Sequence, residues 1–258
     1  SPGHRENGLM PPRIAIPMPH STDLEYAQRA IPQYERAVEL AGGIPVRIPL
    51  DQTPDELKTM IASCAGVLLP GSKSDVNPAK FHQPASPHSA AADARREVVD
   101  FLLLDDAYTR RKPVLGICYG LQSLNVYRHG SLIQHIPDFL PEPARNRVDH
   151  EAGRKVAVAH IVEIVPESNL HRIVNGSTHD EASGKLTLPV NSSHHQSADA
   201  IGEDLRIVAR CPEDGIIEAL EGTTSDHFVL AVQWHPERSV DQDQYSPSIF
   251  KALVLASE

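Results

Sequence analysis

The first half of the chain alternates short apolar segments of strand length with segments whose apolar residues recur at helical spacing. Strands are predicted at 13–18, 44–50, 66–70 and 113–118. Helices are predicted at 24–41, from Thr53-Pro54 onward, at 90–110 and at 119–129. This alternation favours right-handed crossovers, and therefore a mainly parallel sheet that helices cover on both faces.

The second half of the chain has strand-like segments with short connections. They are predicted at 155–165, 188–191, 205–210, 215–220 and 228–234, before a final helix at 246–256. We expect an antiparallel or mixed extension of the same sheet. No linker separates the halves, so residues 13–258 are interpreted as a single α/β domain. The polar, Pro- and Gly-rich residues 1–12 are expected to form a disordered lead-in.

Net charge, apolar segments and cysteine content limit the partners and the cellular location that we expect for the protein. The 258 residues carry a net charge of −10, which argues against nucleic acid or an anionic membrane as a partner. No segment approaches the roughly 20 apolar residues of a membrane span, and residues 1–12 lack the apolar centre of a signal peptide. The three cysteines are odd in number and widely spaced. These features predict a soluble, cytoplasmic protein.

Cys118 lies where the fourth predicted strand turns into a helix, in the sequence Gly116-Ile-Cys-Tyr-Gly120. Two glycines around a strand-to-helix nucleophile are typical of a nucleophile elbow, with sulfur here in place of oxygen. The N-terminus of a helix favours negative charge on the sulfur. The backbone N–H of Tyr119 would face an oxyanion that forms beside it. Cys64 and Cys211 lack such glycines and are interpreted as buried structural cysteines.

A cysteine nucleophile needs a base, and the base needs a group that orients it. His235 and Glu237 follow the strand at 228–234 and lie two residues apart, so they share a face if the chain stays extended. Pro236 favours that conformation at His235. A chance His-Pro-Glu in a surface loop would show the same spacing, so the spacing alone leaves both interpretations open.

Several longer segments resemble one protein family. They are GICYGLQ at 116–122, LLPGSKSDVNP at 68–78, LNVYRHGSLIQHIPD at 124–138, VNSSHHQSADAIGEDLRIVA at 190–209, DGIIEALE at 214–221 and WHPE at 234–237. Together they are similar to the class I glutamine amidotransferase-like superfamily, and within it to the gamma-glutamyl-gamma-aminobutyrate hydrolases, a family of cysteine peptidases. The resemblance implies a flavodoxin-like three-layer sandwich and extends from about residue 13 onward.

The resemblance also implies roles for individual residues. Cys118 would be the nucleophile, His235 the general base and then acid, and Glu237 the orienting group. The oxyanion hole would use backbone N–H groups of Tyr119 and of the Gly71–Ser72 turn. The implied substrate-binding residues are Gln122, Ser193, His194 and His195. Many relatives have consecutive glycines where this chain has Ser72, and a serine held at positive φ there would cost about 1 kcal/mol.

The implied reaction is hydrolysis of the amide bond of a small gamma-glutamyl compound, through a thioester, without cofactor or metal. Adjacent residues of an extended segment point to opposite faces, so His194 and His195 are not expected to share a metal ion. A homodimer is possible by analogy with relatives. Arg145 and Arg147 lie in a long loop at 134–153 and could meet a substrate carboxylate, but we expect both to face solvent.

Three alternatives stay open from the sequence. The chain could be a glutaminase that supplies ammonia to a separate synthetase, since GICYGLQ resembles those enzymes equally. It could be a binding protein that retains the fold without catalysis, although Cys118, His235 and Glu237 are all present. It could also be a folate polyglutamate hydrolase, for which an acidic protein offers no obvious anion-binding surface.

Overall fold

A nine-stranded sheet runs through the part of the chain that the computed structural model describes, residues 10–175 and 185–258. Its strands in chain order are β1 (Arg13–Pro17), β2 (Ile44–Ile48), β3 (Gly66–Leu69), β4 (Val114–Ile117), β6 (His160–Ile164), β7 (Leu186–Val190), β9 (Leu205–Arg210), β10 (Ile217–Gly222) and β11 (Val229–Val232). The short strands β5 (Leu132–Ile133) and β8 (Ser197–Ala198) pair with each other beside it.

Helices connect and cover these strands. They are α1 (Leu24–Leu40), α2 (Pro54–Ala62), α3 (Ala94–Arg110), α4 (Tyr119–Tyr127), α5 (Ile136–Phe139), α6 (Asn169–Val174) and α7 (Tyr245–Ala256). The predicted start of α2 is confirmed, because the Thr53 hydroxyl accepts from the Glu56 N–H while the Glu56 carboxylate accepts from the Thr53 N–H. None of the helices in the described residues is long and apolar enough to cross a membrane.

The sheet changes from parallel to antiparallel at β11. Its order is β2-β1-β3-β4-β11-β10-β9-β6-β7. The first five strands are parallel to one another, and β10, β9, β6 and β7 continue the sheet from β11 in antiparallel pairs. The predicted parallel sheet with a mixed extension is confirmed. Because β11 lies beside β4 in parallel register, the chain segments that follow both strands emerge at the same edge.

Alternate residues of the central strands enter two separate cores. In β4, Leu115 and Ile117 pack with α1 and α7 on one face, whereas Val114 packs with α2, α3 and α4 on the other. β11 divides in the same way, with Leu230 and Val232 on the first face. The period-2 alternation of a strand covered on both faces therefore produces the predicted three layers.

The predicted bounds of most segments agree with the structure to within two residues, and they differ more at two starts. The strand predicted at 155–165 begins only at His160, and the helix predicted at 90–110 begins at Ala94, where Asp93 accepts from the Arg96 N–H. Residues 1–9 of the predicted lead-in lie outside the described residues. Residues 10–12 precede β1, and the Pro12 carbonyl accepts from the Ile44 N–H at 2.8 Å.

Candidate active site

Cys118 sits at a sharp turn between β4 and α4, as the elbow motif predicts. It is a non-glycine residue with a positive φ of 53° and a ψ of −105°, and only 6% of its surface is exposed. The N–H of Cys118 donates to the Val232 carbonyl at 2.9 Å, which fastens the turn to β11. A backbone conformation this strained for an L-residue needs support from its surroundings, and strain of this kind clusters at functional sites.

The two glycines around Cys118 are required by close approach of the backbone. A Cβ atom at Gly120 would lie 2.2 Å from the Leu69 carbonyl oxygen of β3. A Cβ atom at Gly116 would lie 2.8 Å from the carbonyl carbon and oxygen of Gly120. Both glycines therefore allow the first turn of α4 to pack directly on the strands, which holds Cys118 at the edge of the sheet.

His235 follows β11, and its ring is held by Glu237. Imidazole Nδ1 lies 2.5 Å from Glu237 Oε1, and both side chains are buried. Asn191, the residue directly after β7, holds the backbone of His235 through two hydrogen bonds. Its amide oxygen accepts from the His235 N–H at 2.8 Å, and its Nδ2 donates to the His235 carbonyl at 2.9 Å. The segment is thus a braced, buried turn, and the interpretation as a surface loop is wrong.

The charges of this pair depend on each other. Burial alone disfavours the imidazolium, but the Glu237 carboxylate and the neighbouring Cys118 outweigh it and raise the pKa of His235 to about 9. Burial would also raise the pKa of Glu237, yet the charge and hydrogen bond of His235 lower it. At neutral pH the structure therefore favours a charged imidazolium beside a carboxylate, in a position that faces Cys118.

Cys118 and His235 line one cavity of about 390 Å³ at the carboxyl ends of β4 and β11. This volume is within the range of small-molecule sites. All four predicted substrate-binding residues line it from buried or half-buried positions, namely Gln122, Ser193, His194 and His195. The Ser193 carbonyl lies 4.0 Å from the sulfur of Cys118.

The two adjacent histidines have different surroundings. His194 Nδ1 lies 2.7 Å from the Gln196 carbonyl, and burial lowers the pKa of His194 well below its ordinary value. His195 Nε2 lies 2.9 Å from Asp75 Oδ2, a hydrogen bond that raises the pKa of His195. The two rings therefore bind different partners, although both residues line the same cavity.

The predicted oxyanion hole is altered at one of its three residues. The Gly71 N–H donates to the Tyr34 hydroxyl at 3.0 Å, so Gly71 does not offer a free donor. Its role is steric, because a Cβ there would lie 3.0 Å from Cε1 of the His235 ring. Ser72 does not adopt a positive φ, so serine costs no backbone strain there. Tyr119 is the first residue of α4, and an N–H at that position has no acceptor within the helix.

Comparison with known proteins agrees with this geometry. The family model described as Peptidase C26 matches residues 14–237. The chain belongs to the Peptidase C26 family. It is 30% identical to a protein of Escherichia coli O157:H7 named gamma-glutamyl-gamma-aminobutyrate hydrolase, over 98% of this chain and 96% of that protein. It is 31% identical to a glutamine amidotransferase-like protein of Rickettsia prowazekii, over 87% of this chain and 88% of that protein.

A solved structure shows the same fold. A protein of Thermoplasma acidophilum, whose name describes it as part of a GMP synthase, superimposes with a TM-score of 0.62 at 16% identity. The match covers 97% of this chain and 96% of that chain. The family match and the relatives confirm the resemblance to the glutamine amidotransferase-like superfamily, and the superposition confirms the flavodoxin-like fold. A C26 protein with this fold is a glutamine amidotransferase-like hydrolase.

Sequence reasoning missed a glutamine that contacts the sulfur of this C26 protein. Gln233 directly follows β11 and is fully buried, and its Nε2 donates to Cys118 Sγ at 3.3 Å. Its side-chain oxygen accepts from Gln122 Nε2 at 3.3 Å. Gln233 lies one residue before the segment WHPE, but only the pairing of β11 with β4 brings it to Cys118.

Sequence reasoning also missed the buried cation that holds the loop after β3. The Arg96 guanidinium is fully buried, pairs with Asp100 at 2.7 Å and lies 4.7 Å from the centre of the Tyr119 ring. It donates to three backbone carbonyls, those of Pro19, Pro70 and Gly71. Arg96 therefore holds the Gly71–Ser72 turn against α3. Because it also contacts Tyr119 of α4, it sets the distance between the turn and α4.

The mouth of the cavity is richer in positive charge than the chain as a whole. Four cationic residues line it, namely Arg29, Lys73, Arg154 and Arg238. The acidic residues among the lining are Asp75 and Glu151. Arg145 and Arg147 are exposed and do not line this cavity, and Arg145 pairs with Glu142 at 2.8 Å, which confirms the expectation of solvent exposure for both.

Proposed function

We propose that this C26 protein hydrolyses the gamma-glutamyl amide bond of a small compound and releases glutamate and an amine. The observation that carries the proposal is the convergence of Cys118 and His235 on one cavity from adjacent parallel strands, with Glu237 bound to the far nitrogen of His235. A cysteine, a histidine and an orienting carboxylate in this relation are the parts that nucleophilic acyl transfer needs.

In the first step the thiolate of Cys118 attacks the side-chain carbonyl carbon of the gamma-glutamyl group. A C–S bond forms, and the carbonyl π electrons move to oxygen. The N–H of Tyr119, aided by the turn at Ser72, stabilises that oxyanion. Gln233 donates to the sulfur before the attack, which holds it in place beside the bound carbonyl.

In the second step the intermediate collapses and the C–N bond breaks. His235, a cation at neutral pH, gives its proton to the leaving amine and becomes a neutral base. Water then attacks the thioester while His235 takes one of its protons. Collapse of the second tetrahedral intermediate breaks the C–S bond, releases glutamate and restores the thiolate beside the imidazolium. Glu237 keeps the ring in one tautomer throughout.

The substrate class is supported by the lining of the cavity and by one relative. A gamma-glutamyl group carries an alpha-carboxylate and an alpha-ammonium group, and the cavity lining offers both cationic and acidic partners, such as Arg238 and Glu151. The Escherichia coli O157:H7 relative is named for hydrolysis of gamma-glutamyl-gamma-aminobutyrate. An amine that itself carries a carboxylate also suits the four cations of the mouth.

The test is a panel of purified gamma-glutamyl amides, assayed for release of glutamate. The panel contains gamma-glutamyl-gamma-aminobutyrate, gamma-glutamyl amino acids, a gamma-linked polyglutamate and glutamine. We expect at least one amide of a larger amine to be cleaved with a higher kcat/KM than glutamine. Cys118→Ala should abolish turnover, whereas Cys64→Ala, at a buried cysteine outside the cavity, should retain it.

Two outcomes of this panel would contradict the proposal. Hydrolysis of glutamine alone, and only after a synthetase is added, would identify an ammonia-supplying glutaminase. Unchanged turnover in Cys118→Ala would remove the nucleophile from the mechanism. If the polyglutamate is cleaved best, the hydrolysed bond is still a gamma-glutamyl amide, but the substrate is that of a folate polyglutamate hydrolase.

A further inference from the structure

We propose that His150, His194 and Glu218 form a buried binding site for one divalent metal ion, with the donor set that Zn²⁺ prefers, and that His160 lies beside it in contact with Glu218. His150 lies in the loop between α5 and β6, His160 opens β6, His194 lies between β7 and β8, and Glu218 is in β10. All four side chains are at most 6% exposed. The residues come from four separate segments, so no local sequence pattern indicates that they form a site.

The atoms that face one another in this cluster lack well-oriented hydrogen-bond partners among the residues that the structure describes. They are His150 Nδ1, His160 Nε2, His194 Nε2 and both carboxylate oxygens of Glu218. Five such atoms gathered in one buried place are costly unless something binds them. Ligand atoms of His150, His194 and Glu218 lie within 4.8 Å of one another.

The opposite nitrogen of each imidazole is already bound to an oxygen. These contacts are His150 Nε2 to Asp214 Oδ2 at 2.6 Å, His160 Nδ1 to the Ile161 carbonyl at 2.9 Å and His194 Nδ1 to the Gln196 carbonyl at 2.7 Å. A nitrogen that faces a carbonyl or carboxylate oxygen carries the proton, so the inward nitrogen of a neutral ring presents a lone pair. Histidine ligands of metal ions are held in this way.

The inward atoms are therefore mainly acceptors without donors. A protonated His160 could supply one hydrogen to Glu218 Oε1, which lies 3.1 Å from His160 Nε2. It would still leave His150 Nδ1, His194 Nε2 and Glu218 Oε2 without a donor from the described part of the chain. A cation between His150, His194 and Glu218, whose ligand atoms lie within 4.8 Å of one another, satisfies these remaining atoms.

The spacing suits a small tetrahedral ion. Zn²⁺ binds imidazole nitrogen and carboxylate oxygen at about 2.0–2.1 Å, which places neighbouring tetrahedral ligand atoms about 3.3 Å apart. His160 Nε2 is 3.1 Å from Glu218 Oε1, and His194 Nε2 is 3.7 Å from Glu218 Oε2. Small side-chain rotations bridge the difference. His150 and His194 also line a second cavity of about 210 Å³, which gives the ion a route from the surface.

The cluster lies directly behind the active site. His194 is joined to Ser193, whose carbonyl is 4.0 Å from Cys118 Sγ. The Glu218 carbonyl accepts from the N–H of Gln233 at 2.8 Å, and Gln233 donates to the same sulfur. A metal ion here would brace two walls of the Cys118 cavity and act on the reaction through position alone.

A neighbouring group of side chains supplies an internal comparison. Cys211 and Asp214 offer ligand atoms within 4.8 Å of His150, so a thiolate-containing site could compete for the same ring. A third group, His88, His135 and Asp138, is partly exposed and would bind metal only as a surface site. Variants at Cys211 and His88 therefore separate these two groups from the proposed one.

The test measures metal content and Zn²⁺ affinity of the full chain. Protein from zinc-supplemented cultures is analysed by elemental mass spectrometry, and the stripped protein is titrated with Zn²⁺ against a chromophoric chelator. We expect about one Zn²⁺ per chain, retained in Cys211→Ser and His88→Ala. Glu218→Gln keeps the size of the side chain but loses its charge, and should weaken binding at least roughly 100-fold. Circular dichroism checks that each variant is folded.

A Co²⁺ spectrum of the wild-type protein keeps the test decisive if Glu218→Gln does not fold. The proposed site predicts the visible bands of tetrahedral Co²⁺ without a thiolate charge-transfer band. A strong thiolate band, or loss of binding in Cys211→Ser, would assign the ion to the Cys211 group and overturn the proposal. Wild-type affinity no higher than that of Glu218→Gln, or loss of the ion in His88→Ala, would overturn it as well.

Discussion

Imidazole Nδ1 of His235 lies 2.5 Å from Oε1 of Glu237, and both side chains are shielded from solvent. Glu237 Oε2 has no hydrogen-bond partner within the described residues, so the bond to His235 is the main local stabilisation of this carboxylate besides the charge of Arg238. A buried carboxylate in this position sets both the orientation and the charge of the imidazole. Replacing one oxygen atom of the Glu237 carboxylate therefore tests the role of the pair in the mechanism.

Glu237→Gln replaces one carboxylate oxygen by an amide and removes the negative charge. We expect kcat to fall roughly 10²–10⁴-fold, because the ring loses its fixed tautomer and its stabilised cationic form. The pKa of His235 is raised to about 9, so the imidazolium is present below that pH and is lost as the pH rises through it. The kcat/KM of the wild type should therefore decline above about pH 9.

The pH profile of the variant provides the control for a merely structural effect. Without the carboxylate the pKa of His235 falls, so the alkaline decline should move to lower pH. Glu39→Gln, at an exposed helical residue, should leave both kcat and the profile unchanged. An unshifted alkaline limb in Glu237→Gln would separate Glu237 from the ionisation of His235.

Gln233→Leu tests the hydrogen bond to the sulfur. An N–H donor stabilises negative charge on Cys118, and a hydrogen bond to a charged group contributes about 1.5–3 kcal/mol. We expect alkylation of Cys118 by iodoacetamide at neutral pH to slow roughly 10-fold, with a comparable loss in kcat/KM. Gln242→Leu, at an exposed glutamine, is the matched control. Equal alkylation rates in wild type and Gln233→Leu would contradict this role.

The elbow and the pair His235–Glu237 could be predicted because their signals are local. Gly116, Cys118 and Gly120 lie within five consecutive residues, and the sharp turn explains each of them. Glu237 reaches His235 across one intervening proline. In both cases short-range sterics and spacing carry the information, so the sequence predicted which atoms would face each other without any knowledge of the sheet order.

Three other contacts of the site depend on long-range packing instead, namely those of Gln233, of Arg96 and of the Gly71 N–H. Gln233 reaches Cys118 only because β11 inserts beside β4, more than a hundred residues away in the chain. Arg96 looks like an ordinary charge of an amphipathic helix until the carbonyls of Pro70 and Gly71 are brought to it. The N–H of Gly71 is taken by Tyr34 of α1, which no motif indicates.

Gly120→Ala tests the contact between α4 and β3. The added Cβ would lie 2.2 Å from the Leu69 carbonyl oxygen, so helix and strand must move apart. We expect a loss of at least about 2 kcal/mol in the free energy of unfolding, and weaker activity because Cys118 moves with α4. Gly215→Ala has no atom within 4 Å and should cost only about 1 kcal/mol, from its φ of 76°. Equal Tm values for Gly120→Ala and wild type would contradict the packing argument.

Arg96→Met tests the buried cation. The substitution leaves Asp100 charged and buried, and deprives the carbonyls of Pro19 and Pro70 of a donor. Breaking a buried pair in this way costs about 3–5 kcal/mol, which chemical denaturation would measure. Adding Asp100→Leu removes the uncompensated charge and should recover part of the loss. A double variant less stable than Arg96→Met would show that the ion pair is not the source of the effect.

In the proposed mechanism Cys118 carries the gamma-glutamyl group as a thioester. The most direct measurement is acid quenching during turnover of the best substrate of the panel, followed by mass spectrometry of the peptide that contains Cys118. We expect a peptide heavier by one glutamyl group that appears before steady state, decays when substrate is exhausted, and is absent from Cys118→Ala. Steady turnover with the added glutamyl mass on another residue would contradict the proposed thioester at Cys118.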